Sequence, residues 1–237
     1  MTGDPAPLLE VSGLSSGYGG STVIRDVSFS VRRGEVLALV GKNGMGKTSL
    51  LKTIMGFLPV ESGRVTFRGR DVTHLAPHAK RRQALAYAPQ EQALFQDLTV
   101  RENLRLGLLS DGAFEARFAQ VAEAFPILAK RLGQRAGTLS GGEQKMLIVA
   151  RGLMAEPLLF MLDEVTEGLQ PSVIDRLAEV LASRRRREGI ALLIVEQHLP
   201  FALGIADRYA VLKRGEIIAS GPVTADAARG IEEHMQI

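Results

Sequence analysis

Cysteine and tryptophan are both absent from these 237 residues, tyrosine occurs three times, and aromatic residues make up only 5% of the chain. Without thiols there can be neither a disulfide nor a thiolate-bound metal, which fits a cytosolic chain. No charge of one sign dominates. Lysine and arginine number 29 against 26 acidic residues, and a formal charge of +3 is too small to serve as a nucleic-acid footprint. Long hydrophobic runs are also missing. The longest, such as Ile190 to Val195, have the length of a strand, far short of the roughly twenty residues a membrane helix needs. The opening MTGDPAP has no basic start and no apolar core, so no secretory signal is expected. Any work at a membrane is therefore expected to pass through a partner. What is present is a 46% hydrophobic content, ample for one large α/β domain carrying a subdomain.

The chain is organised around Val36 to Leu51. Val36 to Val40 is a short apolar run that reads as a buried strand, and a helical pattern begins after Lys47. Between them, Gly41-Lys42-Asn43-Gly44-Met45-Gly46-Lys47-Thr48 fits the pattern of a phosphate-binding loop, and Ser49 follows it into the helix. Glycines let successive N–H groups turn inward around a polyphosphate, and the helix presents its positive end to the same anion. Lys47 is placed to reach the β and γ phosphates, and the Thr48 hydroxyl to ligate Mg²⁺.

Around this loop, Leu8–Val11 and Val23–Val31 alternate as strands do, broken by Gly17 to Gly20. Tyr18 is thereby expected on a connecting loop, as either a turn aromatic or a stacking partner for a flat base. Thr48–Phe57 reads as a helix, Arg64–Phe67 and Ala84–Ala88 as strands, and His74 and His78 as loop residues separated by Pro77. From about residue 90 to Met154 the pattern is helical, with Leu98–Leu109 and Phe114–Leu132 the main elements. Leu158–Leu162 is a buried strand ending in Asp163-Glu164, the end at which an open α/β sheet keeps its ligand. Pro171–Arg187 reads as a helix whose basic run, Arg184 to Arg187, is expected to be a solvated end favoured by the dipole. Ile190–Val195, Tyr209–Leu212 and Glu216–Ala219 complete the strands, and no further domain is expected after Pro222.

Asp163 can hold Mg²⁺ opposite Thr48, and Glu164 can accept a proton from an attacking water. A third motif, Leu139-Ser140-Gly141-Gly142-Glu143-Gln144, is a serine–glycine turn opening a helix, which makes a second anion site. In this order the three motifs resemble those of the ATP-binding cassette family over essentially the whole chain. The resemblance implies an α/β, P-loop NTPase fold: an ABC-type nucleotide-binding domain over residues 1–237. Within it, an antiparallel β subdomain and the start of a RecA-like core occupy 1–83, a helical subdomain about 91–152, and the rest of the core 153–237.

The same resemblance implies an ATPase using ATP and Mg²⁺, cytoplasmic and peripheral on the inner face of the cell membrane. Tyr18 matches the adenine-stacking aromatic, Gln90 the glutamine joining Mg²⁺ to the helical lobe, and Glu164 the catalytic base. Ser140, Gly141, Gly142 and Glu143 match the signature that contacts ATP held by a second ATPase subunit. Residues 91–103 match the segment that meets membrane permease subunits, with a solute-binding protein as indirect partner and no direct nucleic-acid contact. Three positions depart from the family pattern. Gln197 stands where many cassettes have a histidine, His198 lying one residue late; Val165 replaces a proline and Gln170 an aspartate. A glutamine can orient water but cannot shuttle a proton. The strings Thr166-Glu167-Gly168-Leu169-Gln170-Pro171, Val195-Glu196-Gln197 and Gly44-Met45-Gly46-Lys47-Thr48 are most similar to the second ATPase subunit of branched-chain amino acid importers, and above all to its urea and short-amide branch. Chromosome and repair ATPases separate the two motifs by coiled coils, whereas no heptad run lies between Thr48 and Asp163.

Overall fold

A computed structural model describes residues 6–90 and 93–236. Its strands are β1 (Leu9–Tyr18), β2 (Ser21–Val31), β3 (Val36–Val40), β4 (Val60–Phe67), β5 (Arg70–Asp71), β6 (Leu85–Ala88), β7 (Leu159–Asp163), β8 (Ala191–Glu196), β9 (Arg208–Lys213) and β10 (Glu216–Pro222). Its helices are α1 (Lys47–Met55), α2 (Pro77–Arg82), α3 (Val100–Arg105), α4 (Phe114–Ala124), α5 (Pro126–Lys130), α6 (Gly141–Leu153), α7 (Pro171–Glu188), α8 (Leu199–Ile205) and α9 (Ala227–Gln236). Met1 to Pro5, and Glu91 and Gln92 at the start of the expected docking segment, lie outside the described residues.

Four strands form a small sheet in the order β2-β1-β4-β5, antiparallel throughout, and six form the main sheet in the order β10-β9-β3-β8-β7-β6. In the main sheet β6, β7, β8, β3 and β9 run parallel and only β10 is antiparallel. Every residue of β3, β7 and β8 is buried, as strands covered on both faces require. Their alternate side chains feed two cores. Phe160, Leu162, Leu192 and Ile194 pack with α6 and α7, whereas Met161, Leu193 and Val195 pack with α1 and the small sheet. Because β3 is central and parallel, the carboxyl ends of β3, β7 and β8 share one edge, and the loop after β3 lies beside the acids that end β7 and β8.

Several expectations are corrected by local chemistry. β1 runs on through Tyr18, which pairs with Ser21, so the break shrinks to Gly19-Gly20, both at positive φ as a tight hairpin demands. Tyr18 ends a strand rather than sitting on a loop. His78 lies within α2, with Pro77 in its first turn. The expected helix 114–132 is split at Phe125, whose backbone leaves the helical region because Pro126 follows it. The helix expected over 98–109 is shorter. α3 starts at a Thr99–Glu102 capping box and stops before Gly107, which presses so closely on α6 that a Cβ there would lie 2.3 Å from the Arg151 carbonyl oxygen.

The basic run on α7 is exposed as expected at Arg186 and Arg187, but not at Arg184 and Arg185. Arg184 is buried and donates to Gln120 of α4 and to Glu188, Arg185 donates to the Gly34 carbonyl and pairs with Asp207, and Arg187 pairs with Glu123. Beyond Pro222 the chain forms α9, whose Ala227 and Ile231 are buried, Ile231 against Ala38, Val40 and Val211. Two buried side chains at i and i+4 suffice to seat so short a helix.

Candidate nucleotide site

The loop after β3 is shaped by close approach. A Cβ on Gly41 would lie 2.4 Å from the Leu212 carbonyl oxygen, so only glycine lets the chain leave β3 against β9. Gly46, at φ 99°, is the N-terminal boundary of α1, in a conformation that penalises any side chain. The result is a cleft of about 340 Å³ lined by Val23, Asn43, Gly44, Gly46, Lys47, Thr48, Ser49, Gln90 and Glu164.

Within it Lys47 is nearly inaccessible. Its Nζ donates to the Gly41 and Lys42 carbonyls at 2.8 and 3.0 Å and lies 3.0 Å from Glu164 Oε1. Glu164 itself has φ 47°, a left-handed backbone rare for a residue with a side chain, held by its N–H bond to the Val195 carbonyl. Its carboxylate is also met by Gln90 Nε2 at 2.9 Å and Gln197 Nε2 at 3.2 Å. Gln90 donates in addition to Glu167, and Gln197 to Asn43. The adjoining Asp163 is fully buried. Thr48 Oγ1 donates to its Oδ1 at 3.0 Å and Tyr87 Oη to its Oδ2 at 2.8 Å. Burial pushes the Asp163 carboxyl above its ordinary range, opposed by those two hydrogen bonds. Burial also raises the Tyr87 phenol, with the Asp163 charge adding to the effect, so Tyr87 stays a donor.

The structure therefore gathers Asn43, Gly44, Gly46, Lys47, Thr48, Ser49, Gln90, Asp163, Glu164 and Gln197. Gly41, Lys42 and Met45 form the outer side of the same loop. Two sets stand elsewhere. Tyr18 is half exposed and is not among the cleft-lining residues. Ser140 caps α6 through a capping box with Glu143, which also pairs with Arg131. Ser140 and Gly141 are exposed, Gly142 faces Val173 of α7, and none of these four residues lines the cleft.

Sequence reasoning passed over other participants. Tyr87 was read only as part of a strand. Lys145 of α6 donates to the Gln90 carbonyl at 2.9 Å, joining the helical segment to the cleft, and nothing in its local pattern marks it. Glu196 was legible in principle, being an acid at the end of an apolar strand just as Asp163 is. It is buried, accepts from Thr166 N and Oγ1 at 3.0 and 2.9 Å, and its carboxyl is raised by that burial. This bond anchors the turn after Glu164 to β8.

Taken together, a phosphate loop faces a metal-type carboxylate and a base-type carboxylate on adjacent residues. A profile described as ABC transporter matches residues 24–167. The chain belongs to the ABC transporter family. It is similar to BraG, a high-affinity branched-chain amino acid transport ATP-binding protein of Pseudomonas aeruginosa, at 38% identity over 213 residues, covering 89% of this chain and 91% of that one. LivF of Archaeoglobus fulgidus, a probable branched-chain amino acid transport ATP-binding protein, is 35% identical over 90% of this chain and 92% of its own. LptB of Escherichia coli, a lipopolysaccharide export system ATP-binding protein, is 35% identical over 91% of each. Among solved structures, a nucleotide-free ATP-binding cassette from an ABC transporter superposes with a TM-score of 0.87 at 26% identity, covering 96% of both chains. The ABC fold expected from the motifs is thus the fold observed, and the chain is an ABC transporter ATP-binding subunit and ATPase. Thr48 and Asp163 offer only oxygen donors beside the phosphate loop, the donor set that suits Mg²⁺.

Proposed function

We propose that this ABC ATPase hydrolyses ATP to drive solute import through membrane permease subunits, and that its site residues act as follows. Gly41 to Ser49 cradle the phosphates, with Tyr18 stacking on the base. Thr48, Asp163 and Gln90 hold Mg²⁺, which when bound neutralises developing phosphate charge. Glu164 takes a proton from a water whose oxygen attacks the γ-phosphorus, while the bond to the β–γ bridging oxygen breaks and ADP leaves. Gln197 orients that water or donates to the γ-phosphate. The observation that carries this reading is the convergence of Lys47, Gln90 and Gln197 on Glu164, one residue from the Thr48–Asp163 pair.

Two copies, or this chain and a related ATPase, are proposed to close head to tail so that Ser140, Gly141, Gly142 and Glu143 of one complete the site of the other. The exposure of the Ser140 turn, away from its own cleft, supports this. Residues 1–83, 91–152 and 153–237 remain the proposed subdomain division. An apolar groove of about 740 Å³, whose walls include Phe57, Pro89, Phe95, Leu106 and Ile148, is the proposed seat for the permease subunits. It adjoins the segment 91–103, and Phe57, Phe95 and Leu106 are exposed along it. No helix among the described residues is long and apolar enough to cross a membrane; location at the inner, cytoplasmic face follows from that docking, with a solute-binding protein as indirect partner.

For the solute, the names of two relatives favour branched-chain amino acids. The Gly-Met-Gly and Gly-Leu-Gln-Pro strings favour urea or a short amide. Co-purification with the permease subunits, then ATPase rates in membranes with leucine and with urea, tests both readings. Stimulation by neither would remove the importer proposal.

A further inference from the structure

Resting on the docking proposal above, we infer that Tyr87 is a positioning residue that ties the metal carboxylate to the permease-facing groove. Tyr87 lies on β6, three residues before Gln90, and has two faces. Its hydroxyl donates to Asp163 Oδ2 at 2.8 Å. Its ring lines the apolar groove and meets the exposed Phe57 ring at a centroid distance of 6.1 Å and a 46° tilt.

A phenol is rigid beyond two side-chain torsions, so a partner that displaces the ring must displace the hydroxyl with it. The other side-chain donor on Asp163 is Thr48, through Oδ1. Thr48 is also proposed to hold Mg²⁺; were its hydroxyl engaged there, Tyr87 would be the side-chain donor that keeps the Asp163 carboxylate in orientation. This link differs from that of Gln90, which reaches Glu164 and Glu167 and not Asp163. Gln90 lines the nucleotide cleft and only its neighbour Pro89 lines the groove, whereas Tyr87 itself lines the groove and reaches the metal-type acid directly.

The test is Tyr87→Phe in the full chain, which keeps the ring and removes only the hydroxyl. Binding of a fluorescent ATP analogue is titrated with Mg²⁺ and with EDTA. Loss of a hydrogen bond to a charged group should weaken the Mg²⁺-dependent affinity about tenfold, leaving the EDTA value unchanged. Melting of the nucleotide-free variant is followed with and without Mg²⁺-ATP. Equal losses in both conditions with unaltered Mg²⁺ affinity would mean that Tyr87 is merely structural and would overturn the inference. In membranes, at Mg²⁺ raised to saturate the variant, the ratio of solute-stimulated to basal turnover should fall. An unchanged ratio overturns the link to the groove. Permease co-purification with the unaltered chain is read in parallel. Its failure counts against the docking proposal alone and leaves the Mg²⁺ result on the isolated chain to stand or fall by itself.

Discussion

Lys47 Nζ lies 3.0 Å from Glu164 Oε1, with both side chains at most 5% exposed. The residue proposed to bind the γ-phosphate is thus paired with the residue proposed to activate water. On that proposal ATP displaces one charge with another, and the displacement frees Glu164 to take a proton. A buried pair of this kind is costly to break unless a replacement charge arrives, so the geometry holds both groups until nucleotide is present.

Glu164→Gln should separate binding from turnover. The amide keeps the shape but cannot take a proton, so turnover should fall at least about a hundredfold. ATP should bind as tightly as before or tighter, since no carboxylate competes for Lys47. Single-turnover rates and equilibrium binding check this, and normal turnover would sink the assignment of the base.

At Gly41 an added methyl meets the Leu212 backbone, which cannot swing aside as a side chain can. Gly41→Ala should cost about 1–3 kcal/mol of stability and weaken ATP binding by shifting the loop. Urea unfolding and nucleotide titration are the measurements. An unchanged ATP affinity would show that β9 and the loop are not rigidly coupled.

Ser140→Ala removes the cap of α6, worth about 1 kcal/mol, and the hydroxyl proposed to meet a partner's ATP. The isolated chain should keep its ATP affinity while turnover at high protein concentration collapses. For the unaltered chain, turnover per chain should fall on dilution as closed pairs separate. Concentration-independent turnover would argue against shared sites.

Lys80 supplies a pH dependence. It is wholly buried beneath α1, its Nζ donating to the Ile54 and Thr73 carbonyls, and burial lowers its pKa from 10.5 to about 8. The folded state therefore releases this proton before the unfolded state does. The cost of burying the charge is fully present below pH 8 and is relieved as pH rises from about 8 to 10.5. Relative to Lys80→Met, the unaltered chain should gain stability over that window, on the order of 1–3 kcal/mol. Paired urea melts at pH 7.5 and 9.5 read this, and a difference that stays flat with pH would show that Lys80 keeps its proton in the folded state across the whole window.

Local periodicity and composition were enough to locate the phosphate loop, the acids at 163 and 164, the Ser140 cap and most strands, because each rests on neighbours within a few residues. An apolar run ending in Asp163-Glu164, or a glycine pattern closing on Lys47-Thr48, carries its chemistry in contiguous positions. Where several neighbouring residues share one property the reading went astray. Four successive arginines read as a solvated end, yet two of them are bound to Gln120, Gly34 and Asp207, partners set by how α4 and β3 pack on α7.

The sequence by itself determined that this chain binds nucleotide and belongs to the cassette family, since backbone conformation and phosphate chemistry are encoded in short, consecutive motifs. Only the tertiary structure decided that Lys47 rests on Glu164, that Tyr87 spans from groove to Asp163, and that the Ser140 turn lies outside its own cleft. Those relations depend on strand order β3-β8-β7-β6, which places residues far apart in the chain side by side, and no local pattern specifies that order.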